Sequence, residues 1–268
     1  FAYSVDRFTP PAWAYDAVIY EIFPDRFYPG DGRAWRQTTD MNGFCGGTLR
    51  GIIDKLDYVR DLGANAIWLT PIFPSRTHHG YDATDYRRVE PRLGSDDDLH
   101  DLVEEAHARG IRIILDLVCN HVSHKHPVFV EALRNPRSRY REWFTFNDSK
   151  VGYRSFFGVK QMPQLNLGHP EAREWMIGHA VYWLKEFGVD GYRLDYALGP
   201  GPDFWSDFTR ACKAARPDCF VFGEIIDSPG EIRRYAGRLD GNLDFHAEAA
   251  LRRTYACRAW SEERLAQF

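Results

Sequence analysis

The segment Gly188-Val-Asp-Gly-Tyr-Arg-Leu-Asp-Tyr196 contains the features around which the rest of the chain is organised. A helical pattern ends just before it, Gly188 stops that helix, and Val189 to Leu194 is short and rich in β-forming residues. Arg193 and Asp195 are two residues apart, so their side chains project from the same face of the predicted strand. Such a buried pair can be a structural ion pair, or it can keep Asp195 ionised, as a nucleophile requires. This segment alone leaves both interpretations open.

Strand-like and helical stretches alternate along the chain. Runs rich in β-forming residues predict strands at Ala17–Phe23, Ala64–Leu69, Ile111–Val118, Val189–Leu194, Cys219–Glu224 and Gly241–Phe245. Apolar periodicity and capping residues predict helices at Leu49–Leu62, from Ser95 to Gly110, from Pro170 to Phe187, at Pro202–Ala215, from Ser228 onwards, and between the sixth strand and Phe268. This alternation predicts a parallel sheet with right-handed crossovers.

Polar residues cluster where the predicted strands end. They are Asp116, Arg193, Asp195 and Glu224. A (β/α)₈ barrel places its active site at these strand ends, and a doubly wound open sheet follows the same rule. No Gly-x-Gly-x-x-Gly follows the first strand, which makes a nucleotide-binding fold less favoured. We therefore predict an α/β protein with a (β/α)₈ (TIM) barrel catalytic domain, of which the sequence contains six βα units.

The interval from Cys119 to Gly168 breaks the alternation. It has no clear periodicity, contains many aromatic and basic residues, and is too long for an ordinary βα loop. The predicted organisation is barrel units 1–3 in residues 1–118, an inserted segment in 119–168, and barrel units 4–6 in 169–268. An unclosed parallel barrel leaves strand edges and apolar surface unpaired. We therefore expect the last two units to be missing, cleaved or supplied by another polypeptide, and the segment alone to be inactive.

Composition excludes several classes of partner. The net charge is −4, with 34 basic and 38 acidic residues interspersed, so we expect neither nucleic acid nor an anionic membrane as a partner. No apolar run approaches the roughly 20 residues that span a bilayer. The five cysteines have no C-x-x-C spacing, which favours free thiols in a cytoplasmic protein over a disulfide or zinc framework.

Two carboxylates at the ends of neighbouring strands suit glycoside hydrolysis. One attacks the anomeric carbon, and the other protonates the departing oxygen and later activates water. Arg193 should keep Asp195 ionised. Apolar residues flank Glu224 in the sequence, and we expect them to raise its pKa and keep it protonated.

Five motifs, in order along the chain, resemble the α-amylase family of glycoside hydrolases. They are His79-Gly-Tyr-Asp-Ala-Thr-Asp-Tyr86, Asp116-Leu-Val-Cys-Asn-His121, Met162-Pro-Gln-Leu-Asn166, Gly191-Tyr-Arg-Leu-Asp195 and Gly223-Glu-Ile-Ile-Asp227. The third is similar to the Met-Pro-x-Leu-Asn signature of the neopullulanase, cyclomaltodextrinase and maltogenic amylase branch. The resemblance extends from about Ala17 to Phe268.

The resemblance implies a retaining hydrolase of α-1,4-glucosidic bonds in maltooligosaccharides, cyclodextrins or pullulan, with transfer to sugar acceptors as a second outcome. Asp195 would be the nucleophile, Glu224 the general acid/base, and Arg193 the residue that orients Asp195. The inserted segment would be the small domain B over the cleft. Tyr81 would stack on a sugar ring, Asp82 would support Arg193, and His121 would hydrogen-bond the sugar. Asp116 would shape the site, and Asn120 would be a ligand of a structural calcium ion. No other cofactor is implied.

The sequence departs from the family pattern at two places. The polar residues that often follow the nucleophile are replaced by Ala197-Leu-Gly-Pro200, so the acceptor subsite and the specificity are expected to differ. The family's third carboxylate lies in a His-Asp pair near the seventh strand, and no such pair follows Glu224. This second departure favours the alternative of a catalytically silent member that binds sugar or scaffolds a partner. The implied partners are an α-glucan, together with the remaining barrel units or a second copy in a homodimer.

Overall fold

Six parallel strands form one sheet in chain order, from β1 to β6, in a computed structural model that describes residues 8–267. The strands are β1 (Ile19–Ile22), β2 (Ala66–Leu69), β3 (Arg112–Leu117), β4 (Gly191–Leu194), β5 (Phe220–Gly223) and β6 (Gly241–Asn242). Each lies within its predicted interval and pairs in parallel with the next. The curled sheet with its crossover helices confirms the predicted barrel architecture over six units.

Helices lie between the strands, in the inserted segment and after the last strand. They are α1 (Pro24–Phe27), α2 (Leu49–Ile53), α3 (Leu56–Asp61), α4 (Asp96–Ala108), α5 (Pro127–Arg134), α6 (Pro170–Glu186), α7 (Pro202–Ala215), α8 (Pro229–Arg233), α9 (Phe245–Leu251) and α10 (Glu262–Ala266). The Ser95–Asp98 capping box at the start of α4 is formed in both directions. Phe268, the last residue of the predicted terminal helix, lies outside the described residues.

The helix predicted at Leu49–Leu62 is wrong in one respect, because it is two helices. Lys55 separates α2 from α3 with φ −113° and ψ 8°, which is not helical. The apolar stripe nevertheless continues across this interruption, since Ile52 and Leu56 on either side are both fully buried. Periodicity alone therefore could not detect the break.

Alternation along each strand separates two faces of the sheet. Residues on the outer face pack against the helices in the main core; among them are Ile67, Leu69, Ile113, Leu115, Tyr192, Leu194 and Val221. Residues on the inner face form a smaller cluster made of Ala66, Trp68, Ile114 and Phe222. The Trp68 and Phe222 rings meet edge to face, with centroids 6.2 Å apart. The inner face is thus a packed layer beneath the strand ends.

The inserted segment leaves β3 and returns to α6 at the same end of the sheet. An antiparallel bridge pairs His121 at its start with Gln164 near its end. Between them, α5 places the fully buried Phe129 against Phe144 and Tyr153, with ring centroids 4.9 and 4.8 Å away. These aromatic residues extend the main core into the inserted segment, beside the carboxyl ends of the strands.

A buried carboxylate joins several elements at the opposite end of the sheet. Asp190, just before β4, accepts a hydrogen bond from the Ile113 backbone N–H at 2.8 Å. It also pairs with His107 at 2.7 Å, Arg112 at 2.9 Å and Arg216 at 2.7 Å. Burial alone would raise the pKa of Asp190, but these hydrogen bonds and charges lower it below its usual value. Asp190 therefore ties β3, α4 and the end of α7 together as a carboxylate.

We expect Asp190→Asn to lower the free energy of unfolding by about 3 kcal/mol at neutral pH, because the buried side chain loses its charge-assisted hydrogen bonds to the half-buried Arg112 and Arg216. Urea denaturation measures this. Because the folded pKa is lowered, the stabilisation is present above the unfolded pKa and is lost as pH falls through the folded pKa. The difference from wild type should therefore shrink below about pH 4.

Asp57→Asn is the matched control, because Asp57 pairs with Arg60 and Arg109 while its side chain is 61% exposed. It should change stability by less than about 0.5 kcal/mol. Equal losses in the two variants would contradict the role assigned to Asp190.

Candidate active site

The four polar residues singled out at strand ends converge at one end of the sheet. Asp116 and Arg193 are register partners on β3 and β4, and both face inward. Asp195 follows β4, and Glu224 follows β5, where its backbone N–H bonds to the Leu194 carbonyl at 2.9 Å. Because parallel strands bring their carboxyl ends to one edge, neighbouring strands deliver these side chains to the same place.

The Arg193 guanidinium is the centre of this cluster. Its side chain is 5% exposed, and Nη1 donates to Asp116 Oδ2 at 2.8 Å and to Asp195 Oδ1 at 3.0 Å. Nη2 pairs with Glu224 Oε2 at 3.0 Å. The predicted pairing of Arg193 with Asp195 is confirmed, and one guanidinium joins carboxylates from three successive strands.

The apolar residues that flank Glu224 in the sequence lie in different surroundings in the fold. Phe222 lies in the inner cluster, Ile225 is buried in the main core, and the Ile226 side chain is 61% exposed. The Glu224 carboxylate instead pairs with Arg193 and accepts the Tyr196 backbone N–H at 3.2 Å. Neighbours in sequence point in different directions here, so a run of apolar residues does not define an apolar pocket.

The electrostatics of Asp195 also differ from expectation. Burial raises the pKa of Asp195 to about 6, the Arg193 charge opposes this rise, and the charge of Glu224 adds to it. Arg193 therefore lowers the pKa of Asp195, as predicted, but burial raises that pKa by more. Burial raises the pKa of Asp116 as well. Asp195 thus loses its proton close to neutral pH.

Asp116 is bound on several sides. Besides Arg193, its Oδ2 accepts hydrogen bonds from Trp68 Nε1 at 3.2 Å and from the Tyr81 hydroxyl at 3.0 Å. The Trp68 ring also lies 4.9 Å from Arg193 Cζ. Sequence reasoning missed Trp68, although alternation along β2 places it on the inner face. Asp116 and Trp68 therefore hold Arg193 from below.

The support of Arg193 expected from Asp82 is a wrong prediction. Asp82 is buried and accepts hydrogen bonds from the Ser75 and Thr77 hydroxyls, so it closes its own loop after β2. The carboxylate beneath Arg193 is Asp116 instead. Tyr81, the next residue in the chain, does reach the site, with its ring centroid 6.0 Å from Arg193 Cζ.

His121 and Asn120 form a buried chain of hydrogen bonds. His121 Nε2 bonds to the Tyr81 carbonyl, and Nδ1 meets Asn120 Nδ2, both at 3.0 Å. Burial lowers the pKa of His121 to about 4, so the ring is neutral and donates only from Nε2. Both ring nitrogens thus have protein partners, which differs from the sugar hydrogen bond expected for His121.

The calcium ligand expected at Asn120 does not fit this arrangement. Asn120 Oδ1 accepts the Gln164 side-chain N–H at 2.8 Å, and the Asn120 side chain is buried. Calcium takes six to eight oxygen ligands. Within residues 8–267 no group of three or more His, Cys, Asp or Glu could hold a metal ion. The Asn120 side chain contacts His121 and Gln164 instead, and its calcium role stays a prediction.

Comparison with known proteins identifies the family. The alpha-amylase catalytic domain family matches residues 21–267. The chain belongs to the alpha-amylase family. Alpha-amylase 2 of Dictyoglomus thermophilum is 45% identical over 258 residues, which cover 96% of this chain and 45% of that protein. A cyclomaltodextrinase of a Bacillus species is 41% identical over 241 residues, covering 84% of this chain and 43% of that protein.

A solved structure supports the same fold. The ligand-free cyclic α-maltosyl-(1→6)-maltose hydrolase of Arthrobacter globiformis matches with a TM-score of 0.89 and 36% identity, over 97% of this chain and 62% of that one. The predicted family and its barrel fold are confirmed. The chain spans less than half the length of the two sequence relatives.

Two further expectations concern the whole chain. Among the helices of residues 8–267, none has the length and apolar content needed to cross a bilayer. The five cysteines are all free: Cys119, Cys212 and Cys219 are buried, Cys45 is half-buried and Cys257 is exposed.

The raised pKa of Asp195 makes its ionisation unfavourable for folding. Protonated Asp195 stabilises the folded protein fully below the pKa that Asp195 has in the unfolded chain. This stabilisation is lost as the pH rises through about 6, the pKa in the folded protein. We therefore expect Asp195→Asn to be more stable than wild type by about 2 kcal/mol near about pH 8, with the difference vanishing below about pH 4. Chemical denaturation across this range measures it.

Asp61→Asn is the control, since the Asp61 side chain is 70% exposed in its pair with Arg60. It should show no such pH-dependent gain. A destabilised Asp195→Asn protein at alkaline pH would refute the electrostatic account of Asp195.

Proposed function

We propose that Asp195 and Glu224 are the nucleophile and the general acid/base of a retaining α-glucan hydrolase. The observation that supports this most directly is their shared contact with Arg193. The two carboxylates approach Nη1 and Nη2 of one guanidinium, each at 3.0 Å, from the ends of adjacent strands. Retaining glycosidases need two carboxyl groups about 5 Å apart, and a shared guanidinium is compatible with that separation.

The proposed substrates are α-1,4-linked glucans: maltooligosaccharides, cyclodextrins or pullulan. The names of the relatives, an alpha-amylase, a cyclomaltodextrinase and a cyclic maltosyl-maltose hydrolase, support this class. The half-buried Tyr81 ring beside Arg193 offers an apolar surface for the C–H face of one sugar ring. The free thiols favour a cytoplasmic protein.

In the first step the ionised Asp195 attacks the anomeric carbon. The glycosidic C–O bond breaks, the departing oxygen takes a proton from Glu224, and a glycosyl ester forms on Asp195. In the second step the Glu224 carboxylate removes a proton from water, whose oxygen attacks the same carbon and releases Asp195. Two inversions retain the α configuration. A sugar hydroxyl in place of water gives transfer instead.

Arg193 serves both carboxylates in this scheme. Its positive charge favours the ionised Asp195 against the effect of burial. Trp68 and Tyr81 bind Asp116, which in turn fixes the guanidinium. Arg193 is therefore a positioning residue, and its own orientation is fixed by Asp116 beneath the substrate site.

The roles can be separated with two substrates of the full-length protein. Maltotriose has a sugar leaving group that needs a proton, whereas α-maltosyl fluoride releases fluoride without one. We expect Glu224→Gln to lower kcat/KM for maltotriose by about 1,000-fold, because the departing sugar needs a proton from the acid. The value of kcat/KM for α-maltosyl fluoride should fall far less, because fluoride departs without a proton. Asp195→Asn should abolish turnover of both, and polarimetry should show α products in wild type.

Asp101→Asn is the matched control, because this half-exposed carboxylate on α4 pairs with Arg50 and should leave both rates unchanged. Full activity of Glu224→Gln on maltotriose would contradict the assignment of Glu224 as the general acid/base. The alternative of a catalytically silent member predicts instead that the wild-type protein cleaves neither substrate.

A further inference from the structure

Tyr196, directly after Asp195, has an unusual backbone conformation. Its φ is +41°, in the left-handed region that costs a residue with a side chain of order 1 kcal/mol or more. The turn directs its backbone N–H to Glu224 Oε2 at 3.2 Å, and the next N–H, of Ala197, bonds to the Glu224 carbonyl at 3.0 Å. This strained turn therefore binds the residue proposed as the general acid.

The ring of Tyr196 is held by the inserted segment. It meets Phe156 and Phe157 edge to face, with centroids 5.0 and 5.3 Å away. Phe157 also has a left-handed φ, of +45°, and is 77% exposed. Strained residues persist only where their surroundings fix them, and here two strained aromatic residues fix each other.

Asn120, at the start of the inserted segment just after β3, lies against the same turn from another side. The Gly199 backbone N–H bonds to the Tyr196 carbonyl at 3.0 Å. A Cβ at Gly199 would lie 1.9 Å from Asn120 Oδ1, so only glycine lets the turn approach that side chain so closely. The turn is thus confined between β3, β5 and the inserted segment.

We propose that Tyr196 is a positioning residue that ties the inserted segment to the Glu224 carboxylate. Phe156 and Phe157 hold its ring, the held ring maintains the left-handed turn, and the turn's N–H fixes Glu224 Oε2. Oε2 also pairs with Arg193 Nη2, and among the described residues Oε1 has no hydrogen-bond partner. Oε1 is therefore the oxygen that carries the proton to the leaving group. This rests on the proposed role of Glu224.

Tyr196→Ala tests the proposal in the full-length protein with the two substrates described above. We expect kcat/KM for maltotriose to fall about 10-fold or more, while kcat/KM for α-maltosyl fluoride stays within about two-fold, because only the first needs a well-placed acid. Tyr196→Phe is the conservative variant. It keeps the ring, and the Tyr196 hydroxyl has no hydrogen bond among the described residues, so both rates should match wild type.

Phe157→Ala tests the link through the inserted segment without emptying a core, because Phe157 is exposed. We expect the same selective loss for maltotriose, and the double variant Phe157→Ala/Tyr196→Ala should lose little more than Tyr196→Ala alone. Such non-additivity is the sign that the two residues act as one unit. Thermal melting of each variant confirms that it is folded.

The outcomes separate this inference from the function on which it rests. Equal losses for both substrates in Tyr196→Ala would mean a general structural role, and a raised KM with unchanged kcat would mean a sugar platform; either overturns the proposal. Additive losses in the double variant also overturn it. If wild type cleaves neither substrate, the proposed function fails as well. If wild type is active and Glu224→Gln is selective while Tyr196→Ala is not, only the role of Tyr196 fails.

Discussion

The buried guanidinium of Arg193 is the interaction on which the site depends. A charge without partners could not remain in this position, and Asp116, Asp195 and Glu224 supply those partners from β3, β4 and the end of β5. Three carboxylates face one guanidinium, however, so negative charge is in excess. Burial is the main cause of the raised pKa values of Asp116 and Asp195, the charge of a neighbouring carboxylate adds to the rise, and Arg193 opposes it. Burial and the contacts that assemble the site therefore set its protonation together.

Asp195 and Glu224 differ in surroundings, although they share Arg193. The Asp195 side chain is 12% exposed, whereas the Glu224 side chain is 23% exposed. Burial raises the pKa of Asp195, whereas a backbone N–H and an ion pair to one oxygen orient Glu224. The proposed division of roles between the two acids is therefore consistent with their different burial and hydrogen bonding.

The elements that could be predicted from the sequence are those with a local cause. Alternation along β3 and β4 and the rule for parallel strand ends sufficed to bring Asp116, Arg193 and Asp195 together. The partners of Asp82 could not be predicted, because the Ser75 and Thr77 hydroxyls reach it only through the folded loop after β2. The break before α3 was hidden by an apolar stripe that continues through it. Local pattern determines which face a residue occupies, and tertiary contacts determine what it meets there.

The inserted segment and the strand ends make different contributions that meet at one carboxylate oxygen. Arg193 Nη2 approaches Glu224 Oε2 from the base of the site, and the Tyr196 N–H approaches the same atom from the turn beneath the aromatic rim. Either contact alone leaves the carboxylate free to rotate about its terminal bond, because one donor defines a distance but not an orientation. Together the two donors hold Oε2 from two directions. A segment outside the sheet therefore takes part in aiming a side chain that the sheet supplies.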